Sequence, residues 1–216
     1  MIFLGWKGIK VKSFWVKCTA VMTILIVIFS FSGCSKRQKG EVLKTTQTQT
    51  EKDKLEIQAF VKRYYESEIT KDEGYLKSFF INPNIADIQA IKNKFNVFNI
   101  EKIKFNGIYN IKKNGRLAAM TGSYNAYFKN ISSPRPDVEI IVLVNKNNKW
   151  YFLNDDSSLN EKELMWENTQ KQIQNKFIVS DKNMNKVLEE NKAFDEANHD
   201  YMEQCKNKFL NTKGNK

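Results

Sequence analysis

Histidine is close to absent from this chain, and its absence removes whole classes of chemistry. His199 is the single histidine among 216 residues, so no histidine-based dyad and no histidine metal cluster can be assembled. Its charged, helical surroundings mark it as a surface residue. Cysteine is nearly as scarce, with Cys18, Cys34 and Cys205 making up the set. Cys18 sits in an apolar leader and Cys34 at its end, which leaves Cys205 as the one thiol for the body and excludes a disulfide framework within it. No glycine-rich phosphate loop, nucleophile elbow, zinc spacing or calcium loop occurs in the sequence. The expectation is a protein without catalytic residues, metal or cofactor.

What is present is a three-part leader. Lys7, Lys10, Lys12 and Lys17 come first with no acidic residue among them, an apolar run over residues 18–33 follows, and Ser35-Lys36-Arg37 closes it. A run of sixteen residues falls short of the about 20 that span a bilayer comfortably, and slightly exceeds a usual signal core. The ending Phe31-Ser32-Gly33-Cys34 decides between them. It resembles the lipobox of bacterial lipoproteins, with Phe31 standing where Leu, Val or Ile is commoner. That resemblance implies cleavage after Gly33, with Phe31, Ser32 and Gly33 as the peptidase recognition residues and Cys34 carrying diacylglycerol. Two or three acyl chains, at about 0.8 kcal/mol per buried CH₂, anchor durably where one chain would not. The competing reading keeps residues 1–33 as an uncleaved signal-anchor. Either way the lysine cluster stays inside and the body lies on the extracytoplasmic face of the cell membrane.

The net charge is +11, and removing the four leader lysines leaves +7. An exported basic body suits anionic headgroups or cell-wall polymers. Nucleic acid is discounted, because the lysines are spread and no groove-reading motif appears. With 41% hydrophobic and 12% aromatic residues, residues after the leader can bury a core.

Residues 34–54 read as a flexible tether, since the Thr-Gln alternation from Thr45 to Thr50 has little to bury. Over residues 55–156 an α+β domain is expected. Ile57, Phe60, Val61, Tyr64, Tyr65 and Ile69 recur at helical spacing. A short helix follows from Asp72 to Phe80, and a third runs from Asn82-Pro83 to about Val97. Asp72, Glu73 and Asp87 stand near helix starts, where carboxylates cap free N–H groups.

The period then changes to two. Ile103, Phe105, Gly107, Tyr109 and Ile111 alternate as a strand with a bend at Gly107, and Asn114-Gly115 supplies a hairpin turn. The return strand lines one face with Ala118, Met120, Gly122, Tyr124, Ala126 and Phe128. Val138 to Val144 is apolar on both faces and needs cover on each. Asn145 to Asn148 turns the chain into Trp150-Tyr151-Phe152-Leu153. Residues 157–216 read as a C-terminal helical pair capped by Ser158 and Asp181. That pair is expected to cover an outer sheet face made by Ile141, Leu143, Tyr151 and Leu153, with Cys205 a small buried apolar residue.

The Ile57 to Ile69 helix and the tail VEIIVLVNKNNKWYFLND, Val138 to Asp155, resemble the NTF2-like (cystatin-like) superfamily. The resemblance implies a cone of N-terminal helices against a curved four-stranded antiparallel sheet, whose mouth holds a ligand in many members. Tyr64, Tyr109 and Tyr124 are the candidates to line that cone; aromatic residues at such spacing more often serve as core. The functional expectation is a membrane-anchored, non-catalytic lipoprotein that binds an envelope protein or a small ligand. Its lipid partner is reached through the acyl chains on Cys34. The alternatives are an uncleaved accessory subunit of a secretion or conjugation machine, and an immunity-type lipoprotein sequestering a toxic peptide.

Overall fold

The computed structural model describes residues 39–213, and their side chains from 51 to 211. Cys34, with Phe31, Ser32 and Gly33, lies outside the described residues. Helix α1 runs Lys39–Ser67 and buries Ile57, Phe60, Val61, Tyr64 and Tyr65, the stripe that the sequence spacing marks. It also corrects the tether. Residues 39–54, expected as coil, continue the same helix, because once a turn exists each added residue gains a hydrogen bond and Lys, Glu and Gln accept helix readily. At about 1.5 Å per residue that segment reaches about 24 Å as a rod. Lys113 of the first strand pairs with Asp53 and ties the helix to the sheet at that point.

Helix α2, Glu73–Lys77, starts where Asp72 accepts a hydrogen bond from the Tyr75 N–H at 2.8 Å. The third helix is shorter than its sequence signal. Asn82 caps only a 3₁₀ turn over Pro83–Ile85, Ala86 returns to extended backbone, and α3 proper, Ile88–Val97, is capped by Asp87.

Four strands follow as an antiparallel meander in the order β1-β2-β3-β4: Ile100–Asn114, Leu117–Phe128, Arg135–Lys146 and Lys149–Phe152. The first hairpin turns at Gly115-Arg116, with Gly115 at φ +55° and Asn114 paired to Leu117; Asn114 is thus the last strand residue. Asn147 and Asn148 both hold positive φ, 53° and 59°, as a two-residue turn matched to strand twist demands. Beyond β4 the chain after α2 adds to the sheet edge, with the Phe152 N–H donating to the Phe79 carbonyl at 2.8 Å.

The inner sheet face carries Ile103, Phe105, Ile108, Met120, Tyr124, Ile141, Leu143 and Phe152 into one core with α1, α2 and α3. Strand β3 corrects the expected outer face. Ile141 and Leu143 pair with Met120 and Ala118 and point inward, so the outward set is Val142 and Val144. A one-residue change of phase swaps every side chain between faces, and a run apolar at nearly every position gives little alternation to read it from. Tyr109 is a second phase correction. A bulge between Phe105 and Gly107 puts Ile108 into the core and turns Tyr109 out, 37% exposed, so it lines no interior.

The C-terminal segment holds three helices: α4 Glu161–Ser180, α5 Lys182–Ala197 and α6 His199–Lys213. Asn160, rather than Ser158, caps α4 through a capping box with Glu163. Asp181 caps α5 as expected, accepting from the N–H groups of Asn183 and Met184. The expected second helix divides at Asn198, whose side-chain amide donates to the Phe194 carbonyl at 2.9 Å and competes with the helical ladder. Helix α4 lies on the outer face, where Thr121 donates to Gln174 Oε1 at 2.9 Å and Gln174 donates to the Asn110 carbonyl at 2.9 Å. Helix α6 packs on α3. Its Tyr201 hydroxyl donates to the Phe98 carbonyl at 2.6 Å, and Met202 and Cys205 are buried. His199 is exposed at its start.

Candidate functional site

The last turns of α1 deliver polar groups to an apolar place. Tyr64 and Tyr65 are the final aromatic residues of its buried stripe, and Glu68 lies one turn beyond Tyr64, 1% exposed. Across from them, β3 points Arg135, Asp137 and Glu139 to the same side as Ile141, because alternate strand residues share a face and these pair with Ala126, Tyr124 and Gly122. Gly122 has no side chain to spare: a Cβ there would lie 2.5 Å from Ile141 Cδ1.

Tyr64 packs on Phe152 with ring centroids 4.6 Å apart, and Tyr65 stacks on Tyr124 at 5.2 Å and Phe105 at 5.8 Å. Within this aromatic lining several oxygens lack partners. The hydroxyls of Tyr64 and Tyr65 and one oxygen each of Glu68 and Glu139 are shut off from water with no hydrogen bond. Glu68 acts on Tyr64 through its charge and as a side-chain hydrogen-bonding neighbour, at a geometry looser than an ideal bond. Glu139 is half-buried as a residue, while its Oε1 is sealed.

Burial pushes the Glu68 carboxyl up to about 8 and the Glu139 carboxyl likewise to about 8, since a charged carboxylate loses its hydration there. The Tyr64 hydroxyl is raised well above its ordinary value by burial, then by the nearby charges of Glu68 and Glu139. Tyr124 is raised by burial, then by Asp137 and Glu68. Arg135 keeps its charge: burial opposes it, but bonds to Asp195 and Asp137 outweigh that cost.

A cavity opens beside this group, lined by Lys94, Phe95 and Phe98, by Ile100, Ile103, Tyr124, Ala126 and Phe128 of the sheet, by Arg135 and Asp137, and by Met202 of α6. About 40 Å³ of it admits the centre of a water molecule, room for about three waters at roughly 10–15 Å³ each. Helix α6 forms its outer wall through Met202. Among the described residues no cluster of three or more His, Cys, Asp or Glu could hold a metal ion, and no helix is long and apolar enough to cross a membrane.

Two of the three tyrosines singled out by sequence are therefore inside, Tyr64 in the aromatic core and Tyr124 on the cavity wall, and Tyr109 is not. Sequence reasoning missed Glu68, Glu139, Asp137 and Arg135. Glu68 had a signal: it extends the Ile57, Val61, Tyr64 series by one more four-residue step, on the buried face. The acidic and basic residues at 135, 137 and 139 share parity with Ile141, a signal visible only once the phase of β3 is known.

No protein-family model matches the chain, and no curated protein matches it. Among solved structures, one similar chain is a function-unknown protein from Mycobacterium tuberculosis, with 12% identity over 70% of this chain and 90% of that one and a TM-score of 0.41. Another is an NTF2-like protein involved in plasmid conjugation, with 17% identity, 61% of this chain and 46% of that one covered, and a TM-score of 0.28.

Proposed function

We propose that this chain is an extracytoplasmic lipoprotein, tethered through acyl chains on Cys34, whose NTF2-like body binds a small ligand on the inner sheet face without transforming it. The observation that carries the binding role is the inner-face cavity, whose otherwise mostly apolar wall includes Tyr124, Arg135 and Asp137, with the sealed hydroxyl of Tyr65 stacked behind Tyr124. The leader pattern ending Ser32-Gly33-Cys34 supports the anchor, and the helical segment over residues 39–54 supplies the distance from the bilayer.

Two measurements test this reading. Metabolic labelling with a fatty acid should mark the wild-type protein and leave a Cys34→Ala variant unlabelled and uncut; equal processing of both would sink the anchor. Native mass spectrometry of protein purified from its own membranes should show an adduct released on denaturation. A Tyr65→Leu variant should lose the adduct while staying folded.

A further inference from the structure

The cavity wall is lopsided in its chemistry. Phe95, Phe98, Ile103, Ala126, Phe128 and Met202 make up most of it, and Lys94, Tyr124, Arg135 and Asp137 supply its polar part. Asp137 is the centre of that part: it bonds Arg135 at 2.6 Å and is the cross-strand partner of Tyr124. Much apolar surface with a few placed polar groups is the composition that fixes a small molecule in one orientation. Resting on the reading of this cavity as a ligand site, we propose that its occupant is a short, uncharged alcohol, with the hydroxyl donating to Asp137 and the alkyl chain lying on the apolar wall.

Charge, hydrogen bonding and size each narrow the choice. Arg135 already donates from all three guanidinium nitrogens, to Asp195, Asp137 and Asn191. Its charge therefore meets two carboxylates, and Lys94 brings the second positive charge to the wall. No charge is left for an ionic ligand to answer, and an ion would lose its hydration among aromatic rings.

The polar part has more room for a donor than for an acceptor. A carboxylate offers about four acceptor positions. On Asp137 the Val138 N–H uses one at 2.9 Å and Arg135 another, and the Tyr124 hydroxyl is a looser third neighbour. A position remains for an O–H. The space of about 40 Å³ would hold about three waters, each wanting roughly two to four polar partners that phenyl rings and a thioether do not give. An alkyl chain of about three or four carbons fills that space without needing them. Each CH₂ added against the wall should tighten binding about fourfold until the space is full.

The experiment follows amide chemical shifts of the full chain during titration with ethanol, 1-propanol, 1-butanol and 1-hexanol. Sodium propionate and propylammonium chloride are charged controls, with potassium chloride matching ionic strength, and methyl propyl ether matches 1-butanol in length but cannot donate a hydrogen bond. Expected are saturable shifts at Ile103, Ala126, Phe128 and Met202, about fourfold tightening per CH₂ up to 1-butanol, and no further gain at 1-hexanol. The ether should bind about tenfold more weakly than 1-butanol, and neither ion should give a saturable response. Ala126→Val and Met202→Phe reduce the space from the sheet side and from α6, and each should weaken 1-butanol binding about tenfold or more. The chain-length series and the ether need no variant, so the test stands even where a variant fails to fold. Tighter binding of either ion or of the ether overturns the alcohol assignment and leaves the cavity a ligand site. Alcohol binding that ignores chain length, or that survives both space-filling variants, also overturns it. Binding of no alcohol overturns it too, and if protein from its own membranes then carries no adduct, the reading of the cavity as a ligand site falls with it.

Discussion

Arg135 of β3 and Asp195 of α5 meet as a two-pronged pair, Nε to Oδ1 at 2.7 Å and a terminal nitrogen to Oδ2 at 3.0 Å. The same guanidinium reaches Asp137 at 2.6 Å and Asn191 at 3.0 Å, so one 6%-exposed side chain ties the C-terminal helices to the sheet. Removing one partner of a buried pair leaves the other charge uncompensated. Arg135→Ala should cost about 3–5 kcal/mol. Asp195→Asn should cost less, about 1–3 kcal/mol, because Asp137 stays in place. Urea unfolding of both variants reads the difference; equal losses would show that Asp137 contributes nothing.

Stability should fall as pH rises. Glu68 and Glu139 titrate near 8 in the folded chain against about 4.5 ordinarily, so between those values the folded state holds more protons than the unfolded one. Their contribution is complete below about 4.5 and is lost as pH passes through about 8. Denaturation midpoints at about pH 5 and about pH 9 should differ by a measurable amount in the wild type, and less in Glu68→Gln.

Gly122→Ala should strain the inner face. Its new methyl meets Ile141 Cδ1 at 2.5 Å, and Ile141 is 2% exposed with little room to turn. Overpacking of this kind costs about 1–3 kcal/mol. Adding Ile141→Val, which deletes the clashing atom, should recover most of the loss; a double variant as weak as the sum of its parts would contradict this contact.

Glu163 has two tasks. It closes the capping box on Asn160 and receives Arg116 at 2.8 and 2.9 Å, and Arg116 together with burial's opposing effect leaves its carboxyl at about 2. Glu163→Ala should therefore cost more than Asn160→Ala, whose loss is about 1 kcal/mol. Protection of the α4 start from proteolysis should fall in the same order. For the wild type, this carboxylate's contribution is present above about 4.5 and fades as pH drops through about 2.

Truncation after Asp156 should uncover Ala119, Val142 and Val144 on the outer face, giving insoluble or newly dimeric protein. Light scattering checks it, and a soluble monomer would show that α4 and α5 are not needed as cover.

The regular elements were legible wherever one face is apolar and the other polar. The stripe on α1, the meander and the cap at Asp181 follow from spacing and side-chain chemistry alone. Legibility failed where a local choice had no local signal. Tyr109 faces outward because a bulge between Phe105 and Gly107 resets the alternation. Val138 to Val144 gives no phase because both of its faces are covered. Helix α5 ends at Asn198 through a side-chain hydrogen bond that no periodicity encodes. The candidate site suffered most, because Glu68 and Glu139 are polar residues in apolar positions, and patterning assigns such residues to the surface.

Strand β2 is covered by α1 on one side, where Tyr65 stacks on Tyr124, and by α4 on the other, where Gln174 meets Thr121, with β1 and β3 along its edges, so eight consecutive residues from Leu117 to Tyr124 are buried. Local fluctuations of the terminal helices cannot expose those backbone amides to solvent deuterium. They should be the slowest in the chain to exchange and should report the free energy of complete unfolding. Labelling kinetics at this one ribbon would thus serve as an internal gauge for every variant above.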